Sequence, residues 1–329
     1  MDYLFFDMEC ADGNRACSFG YVLANEKFEI LEKRDLLINP ECKFRLGRSG
    51  EEPYIRLSYK EDEFRKAPNF AKVYDKIRAL LTAENRILLG HSISSDIGFL
   101  EKACARYSKE YFSFEVYDTQ KIYSLCARER QMRSLEYIVS ELGIDASHLT
   151  EHKSCDDAEM TMLVAKALTK RCECGIEELL QTNCASTVSS ASLAINRAVK
   201  ELKARYPKSK KAPAICISDA IKELDATKRI NLLKTIFARG FGYSSTVQKC
   251  AYYVSNGQFG AKEQAYEECF AEGQTIRKIT PAELGELLKI SVSELCETDF
   301  EPLSNNAGKT AKAAFGAIAS KRKTTKQAR

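Results

Sequence analysis

The sequence predicts an α/β protein of two units: a mixed sheet with covering helices over residues 1–172, then a smaller α/β unit over residues 212–292. Three observations carry this expectation. The first half opens with three consecutive strand-like apolar runs and then alternates strand and helix patterns. A polar, proline-bounded stretch, Pro207-Lys208-Ser209-Lys210-Lys211-Ala212-Pro213, reads as a linker, and the alternation restarts after it. The length of 329 residues exceeds one average domain of roughly 100–200 residues and suits two.

Taken in order, residues 3–6, 17–23 and 36–38 form the three opening strands, the last ended by Asn39-Pro40. Phe70, Val73, Ile77 and Leu80 recur at helical spacing, and residues 87–89 follow as a buried strand. Ile97, Leu100, Cys104 and Tyr107 mark the next helix, and Val116-Tyr117 a short strand ending at Asp118. Leu135, Ile138, Val139 and Leu142 define a helix closed by Gly143, and residues 158–170 form the last helix of the unit. Residues 173–211 are expected to be a helical linker, with an amphipathic helix at 192–205. The second unit then runs strand (215–217), helix (227–238), a Gly240-Phe241-Gly242 turn, strand (252–254), helix (261–271), and a final strand and helix through Leu288. Residues 293–329 form a tail that past Ser304 holds seven Lys and Arg and no acid, and it is expected to be disordered.

Composition narrows the function classes. A hydrophobic share of 44% with 29% charged residues is that of a globular chain, and the longest apolar runs fall far short of the ~20 residues that span a bilayer. No membrane partner is expected. The start, MDYLFFDMEC, lacks the build of a secretory signal, so the expected location is the cytoplasm. Thirteen scattered cysteines, odd in number and set in apolar patterns, read as reduced and mostly buried thiols. Cys172-x-Cys174 has no second pair and is weak as a zinc motif. A net charge of +4 neither demands nor excludes nucleic acid.

The chemistry is carried by acids. Asp7 and Glu9 end the first strand, where side chains two apart share a face, so two carboxylates aim at one spot. Such crowding costs free energy unless a proton or cation relieves it, and hard oxygen ligands suit Mg²⁺ or Mn²⁺. Asp96 opens a helix after Gly90-His91-Ser92-Ile93-Ser94-Ser95, where the plainer alternative is an ordinary N-cap. His152-Lys153-Ser154-Cys155-Asp156-Asp157 begins the last helix; Asp156 sits where an N-cap is expected, and Asp157, inside the first turn, is the one that projects toward the sheet.

With these motifs the N-terminal unit resembles the DEDDh branch of the 3'-to-5' exonucleases, which have a ribonuclease H-like fold. The likeness rests on Asp7-Met8-Glu9, on Gly90-His91 with Asp96, and on the His152 to Asp157 spacing. The joints Ile38-Asn39-Pro40, Ala67-Pro68-Asn69-Phe70, Tyr117-Asp118-Thr119 and Ser134-Leu135-Glu136 agree with it. The resemblance implies two divalent ions, Mg²⁺ or Mn²⁺, held by Asp7, Glu9, Asp96 and Asp157, with His152 as general base and nucleoside 5'-monophosphate as product. It further implies substrate-facing positions at Met8, Cys10, His91 and Ser95. Cys10 replaces a usual Thr, and Ser92 and Ser95 replace a common Asn and Phe, which leaves substrate preference open. His91 has a weaker claim as a base and braces its loop, and His148 is a surface residue.

The second unit resembles a BRCT domain, a small interaction module of DNA-repair proteins. The likeness runs through a strand ending at Ser218, the Gly240/Gly242 turn, the strand at 251–254, Gly260-Ala261-Lys262 opening a helix, and Ile279-Thr280-Pro281 before the last helix. It implies a protein or DNA-end partner, with Ser218 and Lys262 near positions that grip phosphate in some relatives. Together the two resemblances favour DNA over RNA as the nucleic acid whose 3' end is attacked, in repair or replication. An RNA exonuclease and a catalytically silent binding module are the alternatives.

Overall fold

A computed structural model describes residues 1–45, 57–221 and 224–291. The chain divides into two compact units at residues 194 and 195. The first unit begins with β1 (Asp2–Cys10), β2 (Ala16–Ala24) and β3 (Ile30–Leu37), followed by α1 (Glu61–Lys66), α2 (Phe70–Leu81), β4 (Arg86–Gly90) and α3 (Ser94–Arg106). It continues with β5 (Glu115–Asp118), α4 (Thr119–Ala127), α5 (Leu135–Glu141), α6 (Ser154–Arg171), α7 (Ile176–Thr182) and β6 (Thr187–Ser189). The six strands lie in the order β3-β2-β1-β4-β5-β6. The meander β1–β3 is antiparallel, β4 and β5 add in parallel, and β6 closes the edge antiparallel to β5.

The strand period of two sorts β1 between the layers. Leu4, Phe6 and Met8 join the core that holds Ile77 of α2 and Leu100 of α3. Tyr3 and Phe5 join the opposite core with Ile122 of α4, Ile138 of α5 and Ala158 and Met162 of α6. Asp7 and Glu9 are in phase with Tyr3 and Phe5, which sets them on the α6 face. The ladder with β2 shifts register between Glu9 and Cys10, a bulge that re-aims the strand where the acids end.

The expected boundary at residue 172 falls inside this unit. Helix α7 buries Ile176, Leu179 and Leu180 in the α6-side core, and β6 pairs with β5, so residues 173–189 belong to the first sheet. The expected linker at 207–213 is a 3-10 turn, Pro207–Lys211, with Ser209 buried. Its polar composition reported the surface and not the packing of that one serine. Helix α8 (Ser190–Arg205) carries the division between the units.

The second unit comprises β7 (Ala214–Ile217), α9 (Ala226–Ala238), β8 (Gly242–Tyr243), β9 (Tyr252–Val254), α10 (Ala261–Ala271), β10 (Arg277–Ile279) and α11 (Pro281–Leu288). Its sheet is all parallel in the order β10-β9-β7-β8. Ile215 and Ile217 face the core of α9 and α11, while Cys216 faces Cys269 of α10. The tail at 293–329 lies outside the described residues. Among the described residues no helix is long and apolar enough to cross a membrane. The twelve described cysteines are free thiols; Cys17, Cys104, Cys155, Cys216, Cys250 and Cys269 are buried and the others reach the surface in part or fully.

Candidate active site

Helix α6 approaches the sheet where β2 carries Gly20, directly opposite Asp7 in the ladder. A Cβ at Gly20 would lie 2.0 Å from the backbone of Ser154 and Cys155, so the first turn of α6 rests on bare strand backbone. That contact delivers Asp157 to the carboxylates of β1. Ligand atoms of Glu9, His152 and Asp157 all lie within 4.8 Å of one another. Asp96, in the first turn of α3, accepts a hydrogen bond from the Met8 N–H at 2.7 Å, which fixes it beside the strand between the two β1 acids.

Electrostatics report the crowding. Burial, then the charges of Asp96, Glu9 and Asp157, hold the Asp7 carboxyl well above the ordinary carboxylate range. Its Oδ2 is buried with no hydrogen-bond partner. Burial pushes Asp96 up to about 8 against the Met8 N–H, with Glu9 adding to the rise. Asp157 is also pushed up to about 8, by burial and then Glu9, with His152 opposing. Carboxylates this close do not all ionise without a compensating cation. The orphaned Asp7 oxygen and the hard oxygen donors fit divalent metal ions, so Asp7, Glu9, Asp96 and Asp157 would hold them.

His152 sits in the left-handed region at φ 59°, immediately before α6, with Nδ1 3.7 Å from Glu9 Oε1. Its contact with Glu9 raises its pKa above the usual imidazole value, outweighing partial burial. The loop is held from outside: Ser58 N donates to His152 O at 3.1 Å and Ser58 Oγ to Glu151 O at 2.6 Å. Next to it the Tyr59 hydroxyl donates to Asp35 and accepts from Ser154 N at 2.9 Å, while Ser154 Oγ donates to Asp35 Oδ1 at 2.8 Å and pairs with the Ser18 hydroxyl at 2.9 Å. This clasp pins the start of α6 to β2 and β3.

Other expected positions fall differently. Asp156 is not the N-cap: α6 starts two residues earlier with Lys153 as its cap, and the Asp156 carboxylate pairs with Lys33 at 2.5 Å and Lys153 at 3.2 Å. Those two lysines hold its pKa below the carboxylate range although burial pushes it up. Asp96 is not an N-cap either, since Ile93 precedes that helix. The Met8 side chain is in the core, leaving only its N–H toward the acids. His91 is bound at both nitrogens, to Thr119 Oγ1 at 3.1 Å and Arg133 O at 3.3 Å, and braces its loop. Cys10 is half-buried and Ser95 exposed. His148 is largely exposed, against Glu159. Reasoning from the sequence missed Gly20, Asp35, Tyr59 and Ser154, and also Asp118, whose Oδ1 accepts from Ser92 N and Gln120 N and shapes the turn before Asp96. In the second unit, Ser218 is buried and Lys262 Nζ donates to Ile217 O and Asp219 Oδ1, both at 3.0 Å.

Residues 42–168 match the DEDDh family model described as DNA polymerase III subunit epsilon-like, C-terminal domain. Asp96, His152 and Asp157 lie within the matched stretch, and Asp7 and Glu9 precede it. The nuclease domain of 3'hExo, a DEDDh family member bound to rAMP, is similar at 20% identity over 53% of this chain and 93% of that one, with a TM-score of 0.45. Escherichia coli exonuclease I in complex with an oligonucleotide is similar at 18% identity over 52% of this chain, with a TM-score of 0.40, and this chain spans 40% of its length. Among curated proteins no relative is detected.

Proposed function

We propose that the N-terminal unit is a metal-dependent 3'-to-5' exonuclease that releases nucleoside 5'-monophosphates. The observation that supports this is the grouping of Glu9 and Asp157 with His152, with Asp96 bonded to the Met8 N–H and an unpaired, buried Asp7 oxygen under the charges of the other three acids. When bound, divalent ions would supply Lewis-acid stabilisation of the phosphoryl oxygens and of the leaving 3' oxygen. The chain's part is positional. Asp96 is locked by Met8 N–H, Asp157 is carried on the rigid first turn of α6, and Glu9 holds His152 within reach of the cluster. His152 takes the proton of the attacking water, the general-base role open to a neutral imidazole.

The second unit is read as BRCT-like, recruiting the nuclease to a repair or replication partner or to a DNA end, and the preference for DNA rests on that reading. In its support, every strand and helix on which the sequence resemblance rested is present, in the same order. The test is digestion of matched 3'-labelled and 5'-labelled DNA and RNA, single and double stranded, with Mg²⁺ or Mn²⁺. Mononucleotides released from the 3' end support the proposal. Internal cuts, 5'-end release, or no metal-dependent turnover on any of them overturns it.

A further inference from the structure

Beside the end of β1 lies a second cleft that the acid cluster does not use. It has a volume of about 310 Å³ and is lined by Asp12, Arg15, Cys42, Lys43 and Arg45. Three cations face one carboxylate, and that carboxylate is turned to its own loop: Asp12 Oδ1 accepts from Asn14 N and Arg15 N at 3.0 Å each, and Oδ2 lies 3.8 Å from Arg15.

The cleft is built onto the backbone that carries Glu9. Ala11, two residues beyond Glu9, donates its N–H to Arg15 O at 2.8 Å and accepts at its carbonyl from Arg45 N at 2.7 Å. Phe44 packs its ring against Phe64 with centroids 5.0 Å apart, in a small core that includes buried Ala11 and Cys17. With Phe44 anchored inward, Lys43 and Arg45 on either side of it are exposed. Lys102 of α3, six residues after Asp96, extends the cationic edge by reaching Gly13 O at 3.4 Å and Asn14 Oδ1 at 2.7 Å. Three residues of chain reach at most about 11 Å, so Asp12 stands within that distance of Glu9.

We propose that this cleft binds the phosphodiester backbone of the substrate strand upstream of its 3' end. A strand whose last phosphate sits at the acids and which runs past the end of β1 meets these cations, which gain affinity by releasing the counterions of its phosphates. The cluster at Asp7 to Asp157 repels a polyanion until it is neutralised, so attraction has to come from its flank. This inference rests on the exonuclease reading for the identity of the strand, but its test does not.

The test uses the full chain carrying Lys43→Gln and Arg45→Gln together. Lys72→Gln with Lys76→Gln, two exposed cations of α2, is the charge-matched control. Binding of a long oligothymidylate and a long oligouridylate is measured with Ca²⁺ across a salt series. Turnover with Mg²⁺ is compared between oligothymidylate and the p-nitrophenyl ester of thymidine 5'-monophosphate, which has no upstream phosphate. Losing two phosphate contacts should lower the slope of log K against log salt by about 1.4 and weaken binding about tenfold. The preference for the long substrate over the ester, as a ratio of kcat/KM, should fall by a similar factor. A slope and ratio equal to wild type, an equal loss in the control, or a wild type without salt-dependent binding overturns the proposal. If binding responds as expected but nothing is cleaved, the hydrolase reading fails and the cleft stands; full cleavage with unchanged binding and ratio has the opposite meaning.

Discussion

Gly20→Ala should separate the helix from the acids. The added methyl would project from β2 on the face of Asp7, its ladder partner, straight into the backbone of α6, 2.0 Å from Cys155 N and 2.5 Å from Ser154 O. Neither atom is the end of a flexible side chain, so the first turn must retreat by at least about 1 Å to approach ordinary carbon contact. Overpacking of this kind costs about 1–3 kcal/mol. In a unit of this size that lowers the melting temperature by about 2–4 °C per kcal/mol. The catalytic effect is the larger one. Asp157 rides on the displaced turn, and a misplacement near 1 Å costs on the order of 10²-fold in rate. The assay is thermal melting followed by oligonucleotide turnover with Mg²⁺ at a temperature where the variant is fully folded. Wild-type melting with wild-type turnover would refute the close approach itself. A lowered melting temperature with full turnover would show that Asp157 need not stand where α6 now holds it.

Asp7→Asn should abolish turnover while raising the neutral-pH melting temperature of the metal-free protein, because it removes a carboxyl whose ionisation burial and its neighbours oppose in the folded state alone; an unchanged or lower melting temperature would contradict the crowding. His152→Ala should leave the fold intact and lower the rate by ~10²–10⁴-fold, and a full rate at pH 7 would assign the base elsewhere. In the second unit, burial pushes the Glu263 carboxyl up, but Lys278, Ser255 Oγ and Tyr253 OH outweigh it and hold its pKa below the usual value. Its folded pKa is depressed, so the stability it adds is present above the unfolded value of about 4.3 and is lost as pH falls through the folded value. Glu263→Gln should therefore flatten that acid limb in pH-dependent melting and cost about 1.5–3 kcal/mol at neutral pH; the same acid limb in both proteins would rule Glu263 out as its source.

What the sequence disclosed was local. The period of two along β1 separates Leu4, Phe6 and Met8 from Tyr3 and Phe5 and aims Asp7 with Glu9; the five-residue step from His152 to Asp157 spans one helix start. Strands β6 and β8, three and two residues long, are too short to show a period, and neither was read as a strand. The frame around the acids was hidden because its bonds join residues far apart: Tyr59 to Ser154 spans 95 positions, Asp35 to Ser154 spans 119 and Ser18 to Ser154 spans 136. Gly20 alone left a trace, since glycine inside a strand marks close backbone approach.

The misreading of Asp156 follows from the same frame. Cap preference is a local rule, whereas the fate of this carboxylate is set by β3, more than a hundred residues away. That strand presents Lys33 and Asp35, two apart and so on one face, to the start of α6. Lys33 draws Asp156 and Glu159 to itself, and Asp35 takes the hydroxyls of Tyr59 and Ser154. One neighbour of the Asp156-Asp157 pair is thereby neutralised by a fixed cation and kept out of the cluster. The other is left facing Glu9 without one. Lys153, three residues before Asp156, completes that compensation, so of the pair only Asp157 meets Glu9 and His152.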